Sequence, residues 1–420
     1  MRARQVSRVL YISVAHALIH TIEFTYAALL SRIDSEFGAG LFVLGIVANG
    51  FAFMFGFSAL PSGVLVDRLG TKRVLIVAFS IAGVAALLVA IAPNVWLLGL
   101  FLALLGLGIG LYHPAGLAFI AQATSQRGIA LGWHGVAGNL GIAVTPLLAV
   151  GVAEATDWRW AYVVLAVLAL VVALALRFMP APEEVPAEIE PEPASDPPEA
   201  AGAVAAGART RTASGRWRPY LPLFLVYGVF VLNGFIYRGS LTFLPVHIEE
   251  RLHISWFGLD EAWLASSLIT LALLAGAAGQ LFGGALSDRF RLERLALPLT
   301  FSLLPFLILI GLTSGLPLVL FAALFVFADF SSQPVYTGLI ADYAPANAIG
   351  RSYGVSFFAA FGIGSLAATF AGFIAEHWGT DAVFLSLAGF VTITISLAAA
   401  IWWLAERSPR ERRGGSAVGR

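Results

Sequence analysis

Twelve apolar runs of roughly twenty residues, parted by short polar stretches, narrow the possible folds more than any other feature of this chain. A helix of that length crosses the ~30 Å hydrocarbon core of a bilayer. Inside that core every backbone N–H and C=O needs a partner within the protein, and the runs lack the alternation of a strand. The chain is therefore read as an all-α membrane protein. Its twelve spans are placed at 9–31, 42–66, 74–93, 97–121, 129–152, 159–179, 219–245, 263–286, 295–314, 317–341, 351–375 and 381–404. Met1–Arg8 carries arginines ahead of a full-length apolar run without a small-residue cleavage site, so span 1 is expected to be retained.

Composition closes off several functions. Only 12% of the residues are charged, against about 25% in soluble domains, which argues against a water-facing globule. Net charge is zero and no basic domain stands out, so no nucleic-acid partner is expected. There is no cysteine, which excludes disulfide and thiol chemistry. No Walker loop is visible, so ATP drive is not expected, and no nucleophile–base–orienter set suggests an enzyme. No cofactor or resident metal is expected.

The chain repeats itself. Gly63-Val-Leu-Val-Asp-Arg-Leu-Gly-Thr-Lys-Arg73 follows span 2, and Gly284-Ala-Leu-Ser-Asp-Arg-Phe-Arg-Leu-Glu-Arg294 follows span 8. Asp67-Arg68 and Asp288-Arg289 are 221 residues apart, Pro114 and Pro334 220, and Gly128 and Gly350 222. A duplicated unit gives two pseudo-symmetric six-helix bundles, 1–179 and 219–404, with a tail at 405–420. Segment 180–218 mixes prolines with acids (Glu183 to Glu199) and then arginines (Arg209 to Arg218), so it is expected to be a disordered linker.

Basic residues fix the orientation. With the N-terminus in the cytoplasm, 21 Lys and Arg fall inside and three, Arg32, Arg159 and Arg251, outside. Both ends are thus expected in the cytoplasm. Trp96, Trp158, Trp160, Trp217, Trp256, Trp263, Trp378, Trp402 and Trp403 lie near span ends, where indoles anchor among headgroups. A single lysine among 25 basic residues fits a GC-rich bacterial genome, hence an inner membrane.

Twelve spans in two halves, a long central linker and the Gly-x-x-x-Asp-Arg-x-Gly-x-Lys-Arg hinge together resemble the major facilitator superfamily. The resemblance covers nearly the whole chain. It implies alternating access around a central cavity lined by spans 1, 4, 7 and 10. It also implies that the hinge (Gly63, Asp67, Arg68, Gly70, Lys72, Arg73) and its echo (Gly284, Asp288, Arg289) form a gating latch; the plain alternative is inside-positive loop charge. Arg291 stands where the first copy has Gly70. Span 4, with Gly108-Ile-Gly-Leu-Tyr-His-Pro-Ala-Gly116, then Arg127-Gly128 and Gly135-Val-Ala-Gly-Asn-Leu-Gly141 with Pro146, is similar to the fosmidomycin-resistance branch of drug efflux proteins. Arg238 and Phe243-Leu-Pro245 fit it too. His16 matches that branch's span 1 histidine, and His20 stands where it has Asp.

Ionisable residues inside the membrane are costly and are functional candidates. They are His16, His20 and Glu23 on span 1, His113 on span 4, Arg238 on span 7 and Asp329 on span 10, with His134 nearer the cytoplasmic end of span 5. His16, His20 and Glu23 share one helical face at i, i+4 and i+7. They are read as a proton-coupling group; a metal site from the same three and histidines merely packed are the alternatives. Arg238 and Asp329 are expected to pair between spans 7 and 10, either for structure or with Arg238 held ready for a carboxylate or phosphonate. Tyr112-His113-Pro114 and Ser332-Gln333-Pro334 predict kinks that turn Tyr112, His113 and Gln333 toward the cavity. Asn139 and Tyr237 are further lining candidates. Gly132, Gly135, Gly138 and Gly141, with Pro146, and Gly354, Gly362 and Gly364 are expected to let helices of opposite halves cross closely.

The expected function is proton-coupled efflux of a small organic solute by a monomeric secondary transporter in the lipid bilayer. Import of a polar metabolite by symport or uniport, and a scaffold or sensor without flux, are the alternatives.

Overall fold

The computed structural model describes residues 3–124, 127–179, 220–252, 261–345 and 349–407. The expected linker, Trp217, Trp256 and most of the expected tail lie outside the described residues.

Apolar runs become helices because nothing else satisfies their backbone in lipid. In the first half these are α1 (Ala3–Ala28), α2 (Leu30–Phe37), α3 (Gly40–Leu69), α4 (Thr71–Ala90), α5 (Val95–Gly110), α6 (Tyr112–Ala123), α7 (Arg127–Ala155) and α8 (Trp158–Phe178). The second half has α9 (Leu221–Arg251), α10 (Glu261–Arg289), α11 (Leu292–Leu312), α12 (Gly315–Tyr343) and α13 (Ile349–Phe357). A π-helical turn, Phe358–Ile363, leads on to α14 (Leu366–Trp378) and α15 (Thr380–Arg407). Among the described residues there is no strand. Eleven helices are long and apolar enough to cross a membrane, and twelve when α1 and α2 count as one span bent by 47°.

Local chemistry sets the ends. Asn94 caps α5 by accepting from Trp96 N and Leu97 N, and Asp157 caps α8 through Arg159 N. Gly70 turns α3 into α4 at φ +80°, a backbone that disfavours any side chain. Its counterpart Arg291 sits at φ −64° and ψ 130°, so the second hinge makes its turn without a glycine. Span 4 breaks at Leu111, just before the Tyr112-His113-Pro114 kink, whereas α12 runs unbroken through Pro334.

Within the first half α1 packs on α7, α3 on α5 and α4 on α8; in the second, α10 packs on α12, and α15 on both α9 and α11. The halves meet along two seams, α3 against the π turn and α14, and α7 against α10. At the first seam Gly45 faces the Ala368 backbone, and a Cβ on Gly56 would collide with the Gly362 amide. At the second, the Trp263 ring covers Gly151.

The end opposite the hinges is bolted. Arg32 bridges Glu154 and, at 3.8 Å, Glu249 of the other half; Ser31 Oγ donates to Glu249 at 2.6 Å. Glu376 accepts from Phe42 N at 2.8 Å. The hinge end has no such bolts among the described residues. Asp67, Arg68, Lys72, Arg73, Asp288 and Arg289 make no side-chain hydrogen bond or ion pair there, and space around Gly63, Gly284 and Gly354 is open. The expectation that Gly354 lets the halves cross closely is therefore corrected. Trp158 is corrected too: it is buried, donating to Glu36 at 2.5 Å beneath the Arg159 guanidinium.

Candidate functional site

Four of the chain's seven histidines gather in the first half. His16 and His20 come from α1, one turn apart, His113 from the start of α6, and His134 from α7. His16 stacks on His134 with ring centroids 3.8 Å apart and planes 4° from parallel. Its Nδ1 lies 2.8 Å from the His134 carbonyl oxygen, and its Nε2 lies 3.1 Å from His20 Nε2. His113 approaches both rings, at 5.4 Å from His16 and 5.3 Å from His20. Gly138 makes this possible, because a Cβ there would come within 2.6 Å of His16 and 3.0 Å of His20.

The polar chain continues across the molecule. His20 Nδ1 donates to Glu23 Oε2 at 2.8 Å, and Arg238 Nη2 donates to Glu23 Oε1 at 2.6 Å. Glu23 and Arg238 are both buried, so a charge-assisted bond joins span 1 to span 7 in water-poor surroundings. Arg238 Nε is buried and has no partner. Phe24 and Tyr237 present their rings to the guanidinium at 5.8 and 5.9 Å.

This overturns the expected Arg238–Asp329 pair. Asp329 is buried on α12, and among the described residues its carboxyl has neither an ion pair nor a hydrogen bond. Span phase explains the difference: Glu23 of α1 reaches across to α9, to a guanidinium that the sequence offers equally to Asp329.

Other candidates fall into place around this chain. Asn139 is buried and donates to Gln280 of α10, a bond between the halves. Tyr112 is fully buried with its hydroxyl on the Ile12 carbonyl at 2.6 Å, so it ties α6 to α1 instead of facing a cavity. His20, Tyr237 and Gln333 are half-buried, and they are the polar members of the set that retain access. Pro146 lines a narrow apolar crevice between the halves, with Phe24, Ala28, Ile142, Leu244 and Leu273. The glycines of α7 are corrected in part. Gly141 lies against the Ala17 carbonyl of α1 and Gly138 against the histidines, both within one half; Gly135 alone of the three faces the other half, at Gln280.

Sequence reasoning passes over Gln280 and Phe55, and it places His134 near the end of span 5 without joining it to His16. Gln280 had a visible signal, a lone amide in an apolar span facing a glycine-rich one. Phe55, whose ring meets His113 at 5.2 Å, had none.

Two helical halves with buried ionisable side chains on spans 1, 4, 7 and 10 define a multi-pass membrane protein with a polar path buried between its halves. The chain belongs to the Major Facilitator Superfamily, which residues 12–369 match. It is 29% identical to the probable sulfoacetate transporter SauU of Cupriavidus necator over 276 residues, 65% of this chain and 62% of that protein. It is 28% identical to the gentisate transporter of Corynebacterium glutamicum over 33% of this chain and 32% of that one. A Mycobacterium tuberculosis multidrug resistance protein B homolog is 26% identical over 36% and 28%. The chain thus matches less than two thirds of the length of each of these relatives. In fold it is similar to an inward-facing bacterial homologue of the lysosomal transporter Spinster, with TM-score 0.72 and 16% identity over 98% of this chain and 100% of that one. A peptide transporter bound to sulfate gives 0.69 and 18% over 95% and 94%.

Proposed function

We propose that this chain exports a small organic anion by alternating access, in exchange for protons. Arg238 carries the reading. Its guanidinium is buried between the halves, one N–H is taken by Glu23, and Nε is left without a partner. A guanidinium grips carboxylate, sulfonate or phosphonate through paired N–H bonds, so an entering anion takes Nε and shares or displaces Glu23. The relatives named for sulfoacetate and gentisate support this solute class. The resemblance to fosmidomycin-resistance proteins supports efflux.

The proton is assigned to Asp329 instead of to Glu23 with His16 or His20. Glu23 is engaged by a guanidinium and an imidazole, whereas Asp329 has no such partner among the described residues. A carboxyl without an ion-pair partner can take up and release a proton without breaking such a bond. The bolted far end and open hinge end fit a resting state that faces the cytoplasm.

The test is flux in tight proteoliposomes carrying a pH gradient and an internal pH dye, with sulfoacetate and gentisate as probes. Anion movement against the gradient-driven protons, lost in Arg238→Gln, is the expected result. Equal flux in Arg238→Gln overturns the anion site, and anion moving with protons overturns efflux in favour of symport.

A further inference from the structure

The Nε2 atoms of His16 and His20 face each other at 3.1 Å while both rings spend Nδ1 elsewhere. His16 Nδ1 meets the His134 carbonyl, which only accepts, so Nδ1 carries the hydrogen. His20 Nδ1 meets the Glu23 carboxylate and carries its hydrogen for the same reason. Two neutral imidazoles arranged in this way aim lone pairs at one another, and a cation between them removes the repulsion. A third nitrogen bears on the same spot. One ring nitrogen from each of His16, His20 and His113 lies within 4.8 Å of the others. His113 Nε2 is moreover buried without a hydrogen-bond partner.

We propose that His16, His20 and His113 bind one divalent transition-metal ion of the zinc class. A proton shared by two rings answers the facing lone pairs but leaves His113 out; a metal ion takes a nitrogen from all three. Zinc takes three imidazoles with a fourth position open, at about 2.0 Å each, which puts tetrahedral ligands roughly 3.3 Å apart. The His16–His20 spacing is close to that already, and His113, with a nitrogen within 4.8 Å of both, has to move closer to complete the set. Imidazole ligands suit zinc, copper and nickel and not magnesium or calcium.

The outer contacts are those of a metal centre. Histidine ligands commonly hand their second N–H to a carboxylate or a backbone carbonyl, which fixes the tautomer and makes the ring a better donor. Glu23 does this for His20, and the His134 carbonyl for His16. Glu23 is thus a positioning residue, set in turn by Arg238. Gly138 leaves the two rings the room they need. His20 is half-buried while His16 and His113 are buried, so the open position lies on the His20 side.

The experiment is equilibrium binding of Zn²⁺ to the purified full chain, its affinity tag removed, in detergent at neutral pH with no organic solute present. One ion per chain is expected, with binding lost in His16→Ala and His113→Ala and weakened roughly 10- to 100-fold in Glu23→Gln. Co²⁺ should give the intense visible absorption of a tetrahedral site. X-ray absorption on the zinc-loaded wild type needs no variant and should count three imidazoles. No zinc binding above that of a His16/His20/His113 triple alanine variant overturns the proposal. A count of two imidazoles, or full affinity in His113→Ala, overturns it as well. Because no solute is used, these outcomes are independent of the anion-transport reading.

Discussion

Arg238 and Glu23, 215 residues apart in sequence, join the two halves through a 2.6 Å charged hydrogen bond. Each comes from a different bundle, and both are buried. Removing one leaves the other as an uncompensated charge, which costs about 3–5 kcal/mol. Arg238→Met and Glu23→Leu alone should each lower the unfolding temperature sharply in detergent. The double variant should regain most of that stability and still fail to move anions. Thermal unfolding with a parallel flux assay checks both statements.

Asp329→Asn should keep the fold, since no partner is lost. It should abolish net flux driven by a pH gradient while solute–solute exchange across the membrane continues. Counterflow of labelled solute, measured beside gradient-driven flux, separates the two.

The bolts at the far end are partly exposed: the Arg32 side chain keeps 22% and Glu249 21% of their surface. Pairs of this kind contribute about 0.2–1 kcal/mol. Arg32→Ala should therefore raise the open-to-closed ratio at that end by no more than about fivefold. Spin labels on introduced cysteines, for which the native chain has no background, read the distance distribution directly.

Gly138→Ala and Gly141→Ala should both destabilise, for different reasons. The first pushes on two histidine rings that can tilt, at about 1–3 kcal/mol. The second pushes on the Ala17 backbone, which cannot, and should cost more. Zinc binding should suffer more in Gly138→Ala, reversing the order seen in unfolding temperature.

Much of the fold was legible because hydrocarbon allows few solutions: the twelve spans, their pairing into halves and the span 4 break all follow from run length, repeat spacing and proline. What the sequence could not supply was helical phase. His16, His20 and Glu23 were readable as one face because they share a helix. Whether Arg238 would turn to Glu23 or Asp329 depends on how two helices rotate against each other, and no local pattern records that. The same limit hid the stacking of His134 on His16 and misassigned Gly138 and Gly141 of α7, whose neighbours are set by α1. The bend at Leu29 and the π turn at Phe358–Ile363 had no signal in composition.

At the first seam Gly56 and Gly362 touch backbone to backbone, with no side chain between them. Elsewhere in a packed interior, moving one element past another means re-seating interlocked side chains. At this one point there are none to re-seat, although Phe55 meets Phe361 and Phe53 meets Phe358 on either side of it. Such a contact works as a bearing: the halves can tilt about it without changing what it is made of. On the alternating-access reading proposed above, the middle of the molecule then stays the same while its two ends trade places, and the free energy of the tilt falls to the contacts at those ends.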